Sequence, residues 1–376
     1  MSIVLILTFL LYFMLMVVLT IGWNKAVHAI KPASIPGIDE PFISVIIPVR
    51  NESNNIGFLL EDLSRQQHKY YEVIVVDDHS DDNTVEIVED HVRRCTNIVL
   101  LKNIGTGKKS ALSQGIHSSR GTIIITTDGD CRVTENWLAR ISGYFEDKST
   151  QMVFGCVRME RISFFGSLQC IEFAGLVGAG VATAAWGFPT MCNGANLSFR
   201  KSVFEELGGY TGNLHIPSGD DEFLMRKVLQ RYPLGIKPII DKQTIVTTQP
   251  NENLKQFIDQ RIRWAGKWST HQALFSQAVA MFVFFFQLSV ISIPLFIGFN
   301  SLGLITGLML LLAKITLEFF FLRRISRFLG VSWSWFHFAT LQVLYPWYVV
   351  VVGIVSNFSS FEWKGRKLNS LTISKN

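Results

Sequence analysis

At 376 residues, with 48% hydrophobic residues and a mean hydropathy of +0.28, the chain is long enough for two or three domains and more apolar than an ordinary soluble enzyme. Its net charge of +5 comes without a block of lysines and arginines, so nucleic acid is not an expected partner. The five cysteines show no CxxC spacing, which argues against a disulfide framework or a zinc site and fits a reducing cytosol.

The first predicted element is a membrane anchor over residues 1–23. Residues 3–21 are almost wholly apolar, and at about 1.5 Å per residue they are long enough to cross a hydrocarbon core of ~30 Å. No basic residue precedes this run and no small-residue cleavage site follows it, so a cleaved signal peptide is the weaker alternative. Trp23, Lys25 and Lys31 follow, which predicts an N-terminus outside and a cytosolic domain after it.

A proline-containing linker over residues 24–41 leads to an α/β domain over residues 42–252. Strand-like and helix-like segments alternate in its first half, which is typical of a Rossmann-like, doubly wound sheet with mostly parallel strands. The predicted strands cover residues 43–48, 72–78, 97–101 and 122–127, and the predicted helices cover residues 54–67, 81–94 and 108–118.

Beyond residue 130 the alternation is less regular. A short strand is predicted in residues 194–200, and a helix with three acidic residues opens within residues 218–223. Residues 164–188 are apolar but contain Gln169 and Glu172, so we expect a buried or interfacial segment near the acceptor rather than a membrane span.

Two carboxylates end the fourth predicted strand, in the sequence Asp128-Gly-Asp130. Ligands of open α/β sheets bind beyond the carboxyl ends of the strands, where this turn falls. Two carboxylates on one tight turn suit Mg²⁺ or Mn²⁺, with substrate phosphates completing the coordination shell. Taken alone, the motif favours a solvated turn, so the neighbouring motifs must decide.

The C-terminal third is predicted to be embedded in the membrane. Residues 253–272 read as an amphipathic, basic helix that carries tryptophan, as expected of a helix in the headgroup region. Residues 273–357 contain about three apolar runs long enough to cross, near 273–299, 302–322 and 338–355.

The charges around these spans predict their topology. Arg323, Arg324 and Arg327 follow the second span and indicate a cytosolic loop. Three full spans would leave the basic tail, residues 358–376, outside the cell against the same rule. In the alternative, Pro346 breaks the last apolar run into a re-entrant hairpin, and the tail is cytosolic.

Seven short motifs in a fixed order resemble those of family 2 glycosyltransferases of the inverting GT-A type, over residues 42–265. They occupy residues 48–52, 77–80, 105–109, 128–130, 194–200, 219–223 and 260–264. The acidic motif near residue 220 and the QxxRW pattern further resemble the membrane-embedded subgroup of cellulose, hyaluronan and poly-N-acetylglucosamine synthases and ceramide glucosyltransferase. Each motif alone is weak, whereas the ordered set is specific.

The resemblance implies a nucleotide site at the strand ends. Glu52 and Asp77 would accept hydrogen bonds from uracil and ribose, while Pro48 and Arg50 would shape the edge of the nucleotide pocket. Lys108 would approach the nucleotide or its diphosphate. The alternatives are that the acidic residues cap strand ends and that Lys108 is a solvated residue at a helix start.

The resemblance also implies the metal and the base. Asp128 and Asp130 would take the DxD role, with Asp130 touching Mg²⁺ or Mn²⁺ more directly. Asp221 would be the catalytic base that removes the proton of the acceptor hydroxyl. Asp220 stands where the family usually has Glu, so Asp221 keeps the position of the second carboxylate in that motif. Glu222 is expected to be a helix-start residue.

Three residues of the basic helix complete the implied site. Gln260, Arg263 and Trp264 would close over the diphosphate, because Arg makes bidentate phosphate contacts and Trp offers a stacking face. A helix in the headgroup region would also use Arg and Trp, but it would not require Gln at that spacing.

The sequence therefore predicts an inverting glycosyltransferase of the bacterial inner membrane with a cytosolic catalytic domain. Its expected partners are a nucleotide-sugar donor, foremost a UDP-sugar, a lipid or glycan acceptor, and the membrane itself. The alternatives are a processive polysaccharide synthase and a non-catalytic subunit that binds sugar nucleotides. About four spans are few for a polymer channel, and Lys314 and Glu318 form the one charged pair expected within the membrane.

Overall fold

The structure is a computed structural model that describes residues 3–29, 40–213, 219–266, 274–297, 301–356, 360–363 and 366–369. The chain divides into two compact units. The sheet unit comprises residues 25–160 and 183–249, and the helical unit comprises residues 1–24, 161–182 and 250–376. Residues 30–39 of the predicted linker and all of residues 267–273 and 370–376 lie outside the described residues.

The sheet unit is built on seven strands: β1 (Ile43–Val49), β2 (Tyr71–Asp77), β3 (Ile98–Lys102), β4 (Ile123–Thr126), β5 (Met152–Gly155), β7 (Leu197–Arg200) and β8 (Ile236–Ile239). Their order is β3-β2-β1-β4-β7-β5-β8. Strands β1 to β4 pair in parallel, and β7 runs antiparallel to both β4 and β5. Two short strands, β6 (Val157–Met159) and β9 (Val246–Thr248), pair apart from this sheet. The predicted α/β class with mostly parallel strands is confirmed.

The helices of this unit are α2 (Ile56–Ser64), α3 (Thr84–Arg94), α4 (Lys108–Ser118), α5 (Trp137–Ser142), α7 (Lys201–Glu206) and α8 (Asp220–Arg231). The prediction for α4 has the correct bounds, whereas α2 and α3 begin later than predicted. Before α3, Asp82 accepts hydrogen bonds from the backbone N–H groups of Ser53 and Thr84. These bonds hold residues 81–83 in a turn, because short polar side chains compete with the helix for backbone groups.

Gly121 sets the start of β4, the strand that leads into the two-carboxylate turn. A Cβ atom added there would lie 2.5 Å from the backbone nitrogen of Ser44. No side chain fits at that distance, so glycine lets β4 pair closely with β1. The turn after β4 is thereby carried by a buried central strand whose position is fixed on both sides.

Asn196 joins three parts of the sheet unit at a buried point. Its amide nitrogen donates to the carbonyl oxygens of Cys156 and Thr244, at 2.9 and 2.8 Å, and its amide oxygen accepts from the indole N–H of Trp137 at 3.2 Å. A buried amide with all these bonds made fixes its neighbours in one arrangement. The segment before β7, which belongs to the predicted 194–200 motif, is therefore firmly placed.

The helical unit contains most of α1 (Ile3–His28) and α6 (Phe164–Ala185), together with α9 (Leu254–Ala265), α10 (Leu274–Ile297), α11 (Ser301–Leu329) and α12 (Trp335–Val355). Among the described residues, five of these helices, all except α9, are long and apolar enough to cross a membrane. In α6, 67% of the most apolar stretch is buried within the protein, against 17–22% in the other four. Its length would allow a crossing, but its burial matches the expectation of a protein-packed segment.

The C-terminal helices correct one expectation and decide one open alternative. Arg323, Arg324 and Arg327 lie in the last turns of α11, not in a loop after it. Pro346 lies inside a continuous α12, so the re-entrant hairpin is not formed. A proline in a helix removes its own backbone donor and crowds the carbonyl group four residues before it, and neighbouring helices and local adjustment make this tolerable in membrane helices.

The C-terminal tail has structure of its own. Strands β10 (Ser360–Trp363) and β11 (Arg366–Asn369) form an antiparallel hairpin, where the sequence predicts only a basic tail. This hairpin contacts α9, so the tail and the basic helix are neighbours within the helical unit.

Lys314 and Glu318 do not form an isolated pair. The Lys314 ammonium lies 3.0 Å from Glu318 and donates to Gln342 at 2.7 Å, and Gln342 donates to Glu318 at 2.7 Å. The hydroxyl of Tyr12 donates to the same carboxylate at 2.5 Å. These bonds join α1, α11 and α12 through buried polar groups, which in an apolar surrounding must satisfy one another.

The C-terminal ends of α1 and α11 lie side by side. The Trp23 and Phe328 rings are 5.6 Å apart, and Arg324 donates to the Asn24 side chain at 3.0 Å. The two helix ends that the sequence places at the cytosolic interface are therefore on the same side of the helical unit.

Candidate active site

The carboxyl ends of β1, β2 and β4 form one edge of the sheet. Val49 at the end of β1 pairs with Asp77 at the end of β2, and Asp128 follows β4 by two residues. Because the three strands are parallel neighbours, the polar residues that follow them collect at this edge.

Glu52 and Asp77 are held at this edge by local hydrogen bonds. Glu52 is 9% exposed, and its carboxylate accepts from Asn55 at 3.1 Å. A Cβ atom added at Gly129 would lie 3.0 Å from the Glu52 side chain, so Glu52 lies against the two-carboxylate turn. The Asp77 carboxylate accepts from the backbone N–H of Ser80 at 3.2 Å. Asp77 thus caps the turn after β2, and its contact with a nucleotide stays a prediction.

Arg50 and Asp78 fix the loops that surround the edge. Arg50, which follows β1, donates to the backbone oxygens of Asp78 and His79 at 2.8 and 2.5 Å. The buried Asp78 carboxylate accepts from Asn103 at 2.8 Å and from the Gly107 N–H at 2.9 Å. Asp78 therefore holds the glycine-containing loop that precedes α4, and Lys108 at the start of α4 is positioned through it.

Lys108 is the electrostatic centre of the site. Its ammonium donates to Asp128 at 2.6 Å and lies 3.9 Å from Asp220 in the first turn of α8. Burial disfavours the charged ammonium, but the neighbouring carboxylates, foremost Asp128 and Asp220, outweigh burial and raise the pKa of Lys108. Lys108, which is predicted to approach the sugar donor, thus also offsets the negative charges of Asp128 and Asp220. Asp220 was not among the predicted site residues; its position beside Asp221 was the signal for it.

Gly194 and Asp221 complete this group. The Gly194 N–H donates to the Asp221 carboxylate at 3.0 Å, and the Gly194 oxygen accepts from Thr126 at 2.6 Å. A Cβ atom added at Gly194 would lie 3.2 Å from Asp220 and 3.7 Å from the Lys108 ammonium. Glycine at this position lets the backbone touch both charged groups, and a glycine opening the predicted 194–200 motif was the only sequence signal for it.

Asp130 lies on the same turn as Asp128. Its carboxylate accepts from the Thr248 hydroxyl at 3.2 Å and lies 3.6 Å from the Cys131 sulfur. Within the described residues, no group of three or more His, Cys, Asp or Glu side chains could hold a metal ion. The donor set of two carboxylates on one turn fits Mg²⁺ or Mn²⁺ when the oxygens of a bound diphosphate complete the shell.

Gln260, Arg263 and Trp264 belong to the helical unit, where α9 carries them. The Gln260 amide oxygen accepts from Asn251 at 2.9 Å and from Arg261. The Arg261 guanidinium lies 4.4 Å from the centre of the Trp264 ring. Gln260 and Trp264, two of the three residues predicted to bind the sugar donor, therefore also contact Arg261.

Arg261 anchors the helix that carries this motif, and sequence reasoning missed it. Its side chain is 3% exposed and forms a buried ion pair with Glu172 of α6, 5% exposed. Burial alone would lower the pKa of Arg261, but the Glu172 carboxylate outweighs it and raises the pKa. The signal in the sequence was a glutamate inside an otherwise apolar segment, which in such surroundings requires a cationic partner.

Comparison with known proteins shows where this fold occurs. Residues 44–208 match the family described as Glycosyl transferase family 2. The chain is 31% identical over 206 residues to glycosyltransferase AglE of Haloferax volcanii, covering 52% of this chain and 64% of that protein. It is 26% identical over 227 residues to poly-beta-1,6-N-acetyl-D-glucosamine synthase of Staphylococcus aureus, covering 59% of this chain and 53% of that protein. The matches thus span about half to two thirds of these relatives' lengths.

A solved structure shares the fold. Mannosyltransferase PcManGT of Pyrobaculum calidifontis, in complex with GDP-Man and Mn²⁺, aligns with a TM-score of 0.55 at 17% identity, covering 94% of this chain and 96% of that one. Together with the family match, this similarity confirms the predicted GT-A fold and the predicted family 2 glycosyltransferase domain.

Replacing Lys108 tests its role as the counter-charge of the site. We expect Lys108→Met to lower the free energy of unfolding by about 1.5–3 kcal/mol, the scale of a lost charged hydrogen bond, because Asp128 and Asp220 then repel each other. Mn²⁺ should raise the melting temperature of this variant more than that of the wild type. Thermal unfolding in detergent, with and without Mn²⁺, measures both effects.

The matched control is Lys237→Met, which breaks an ion pair with Asp147 of the same 2.6 Å length on the surface. Exposed pairs contribute about 0–1 kcal/mol, so this variant should unfold like the wild type. Equal destabilisation by the two substitutions would contradict the special role of Lys108.

Proposed function

Because residues 44–208 form a family 2 glycosyltransferase domain, we propose that this protein is an inverting glycosyltransferase that moves a sugar from a nucleotide sugar, foremost a UDP-sugar, to a lipid or lipid-linked acceptor at the membrane. The observation that carries the proposal is the grouping around Lys108. One ammonium contacts both Asp128 of the donor motif and Asp220 of the acceptor motif, so the two motifs converge on one point.

Asp221 is the best-placed base in the first turn of α8. Asp220 and Glu222 are 7% and 9% exposed, and Glu222 is paired with Arg226 at 2.6 Å, whereas Asp221 is half-buried. An inverting transfer needs one carboxylate that can reach the acceptor hydroxyl and take its proton as the oxygen attacks the sugar. Its bond from the Gly194 N–H keeps Asp221 oriented.

Asp128 and Asp130 would hold Mg²⁺ or Mn²⁺ together with the donor diphosphate. The ion would supply stabilisation of the negative charge that develops on the departing nucleoside diphosphate. Lys108 donates a hydrogen bond to Asp128 and so orients that carboxylate. Glu52, Asp77, Pro48 and Arg50 stand at the strand ends, where the nucleoside would bind.

Gln260, Arg263 and Trp264 are proposed to hold the diphosphate from α9. Arg263 is half-buried, and its planar guanidinium matches two phosphate oxygens at once. The Glu172–Arg261 pair supports this role by fixing the helix on which Arg263 and Trp264 stand.

A processive polysaccharide synthase is the second candidate. The similarity to a poly-N-acetylglucosamine synthase and the QxxRW pattern favour it. Against it, the buried charged pair Lys314 and Glu318 of the helical unit is satisfied within the protein by Tyr12 and Gln342 and offers no open polar path. Chain length of the product made from a UDP-sugar separates the two: one added sugar supports the first function, and a polymer supports the second.

The sheet unit is proposed to lie in the cytosol of a bacterial cell, with the N-terminus outside. The C-terminal ends of α1 and α11 are adjacent, and both carry basic residues. The positive-inside rule predicts that such ends face the cytosol. In a Cys95→Ser, Cys192→Ser background, Asp90→Cys on the exposed face of α3 should stay unlabelled by an impermeant maleimide on intact cells. Ser2→Cys should be labelled. Labelling of Asp90→Cys without permeabilisation would reverse the orientation.

Removal of metal is expected to abolish transfer. Excess EDTA should stop turnover, and Mn²⁺ or Mg²⁺ should restore it, because the leaving diphosphate loses its main charge stabilisation without the ion. Asp130→Asn should lose most activity while its melting temperature in metal-free buffer stays near that of the wild type. Full turnover in excess chelator would refute the metal assignment.

Asp221→Asn is expected to separate catalysis from donor binding. The substitution keeps size and hydrogen bonding but removes basicity, so kcat should fall by ~10²–10⁴-fold while UDP affinity stays near the wild-type value. Initial rates and calorimetric titration with UDP and Mn²⁺ measure the two quantities on the same preparation.

Arg263→Ala is the counterpart to this variant. Loss of a charge-assisted phosphate contact should weaken UDP binding by about 1.5–3 kcal/mol, and Arg263→Lys should restore only part of it. If Asp221→Asn instead binds UDP poorly but turns over bound donor normally, the base lies elsewhere, with Asp220 the first residue to examine.

A further inference from the structure

A cationic cavity of 570 Å³ lies at the turn between α11 and α12, within the helical unit. The side chains of three arginines line it, together with aromatic residues and one hydroxyl: Arg323, Arg324, Arg327, Phe319, Phe320, Trp333, Ser334 and Trp335. None of these residues is among those proposed for catalysis. The cavity therefore needs an explanation of its own.

The positive charge of this cavity is not balanced by the described part of the chain. Arg324 donates to the neutral Asn24 side chain at 3.0 Å, and the Arg323 guanidinium lies 5.6 Å from the centre of the Trp333 ring. No carboxylate of the described residues pairs with Arg323, Arg324 or Arg327. Three guanidinium groups around one space repel each other, so an anion in that space would be favoured.

The turn that shapes the cavity is firmly built. Gly330 adopts a left-handed conformation, with φ of 71°, and ends α11. The Val331 N–H donates to the Ser326 oxygen at 2.8 Å, and the Trp333 indole donates to the Ser326 hydroxyl at 2.8 Å. Ser334 caps α12 through its bond with His337. A ligand would meet a preformed site and would not have to order a loop.

The rim of the cavity carries the marks of a membrane interface. Phe320 and Trp335 are 60% and 66% exposed, next to the arginines. Exposed aromatic rings beside basic residues at the end of a long apolar helix are typical of the level of lipid headgroups. A ligand with a charged head and an apolar body would contact both kinds of surface.

We propose that this cavity binds the phosphate headgroup of a membrane lipid. Guanidinium groups match the oxygens of a phosphate in bidentate fashion, which an ammonium cannot do. The acyl or isoprenoid chain then lies along the exposed rings of Phe320 and Trp335. Bulk phospholipids and phosphate-bearing acceptor lipids share this chemistry, and the binding does not require the sugar donor.

Binding to the full-length protein in detergent tests the proposal. Native mass spectrometry compares phosphatidic acid with diacylglycerol of the same acyl chains, which differ only in the phosphate. Phosphatidic acid should bind and diacylglycerol should not. The triple variant Arg323→Gln, Arg324→Gln, Arg327→Gln should bind phosphatidic acid ~10-fold or more weakly, the scale of lost charged hydrogen bonds.

The matched control removes three arginines from the surface of the sheet unit: Arg65→Gln, Arg93→Gln, Arg94→Gln, whose side chains are 67–69% exposed. This variant has the same net charge as the test variant and should bind like the wild type. Equal binding by the test and control variants, or equal binding of the two lipids, would overturn the proposal. The three arginines would then serve only to orient the helices in the membrane.

Two further arms keep the test decisive. Replacement of the three arginines by lysine keeps the charge that orients the helices, and affinity should fall between those of the wild type and the glutamine variant. The single variant Arg327→Gln serves if the triple variants do not fold.

Inorganic phosphate at millimolar concentration should not displace the lipid, and displacement would assign the site to a free anion. Preference for a polyprenyl phosphate over phosphatidic acid assigns it to an acceptor-type lipid, and equal affinity assigns it to phospholipids in general.

Discussion

The sheet unit depends on one electrostatic constraint, the need to hold several carboxylates at one point before a ligand is present. Asp128 comes from the end of β4, and Asp220 and Asp221 come from the start of α8. At separations of a few ångströms, like charges in a partly buried site repel by several kcal/mol at an effective dielectric constant of about 20. The Lys108 ammonium offsets this repulsion. Much of the surrounding structure, from the Asp78 bonds to the glycine at 194, places that ammonium.

The helical unit meets a similar constraint with a different pair. Glu172 and Arg261 are both almost fully buried, and burying two charges is costly unless their geometry and further hydrogen bonds are good. Gln260 and Tyr348 supply some of those bonds, at the Arg261 and Glu172 ends of the pair. Removing one partner of such a pair is costly, because it leaves the other charge buried and unpaired. Here the pair holds the helix that carries Arg263 and Trp264.

The sequence was a good guide where local chemistry decides the outcome. The buried strands, the helix at Lys108–Ser118 and the position of the acidic motifs at strand ends follow from periodicity and turn residues. It was a poor guide where the deciding partner is distant in the chain. The bonds of Asn196 join four separate segments, and the partner of Arg261 is 89 residues away. Pro346 left two alternatives open for a related reason, because packing against neighbouring helices decides whether a helix continues through a proline.

The path of the chain has a consequence for how the protein forms during synthesis. Residues 161–182 leave the sheet unit, join the helical unit and return, so the sheet unit is not a contiguous piece of the chain. The partners of α6 are made late: Ile171 packs against Leu322, Trp333 and Phe338, and a Cβ atom on Gly178 would lie 2.0 Å from Ile325. Until α9 is made this apolar helix lacks the partner of Glu172, and until α11 and α12 are made it lacks the residues that cover Ile171 and Gly178. It must be sheltered meanwhile, by the bilayer surface or by a chaperone, and a fragment ending before α11 would expose it permanently.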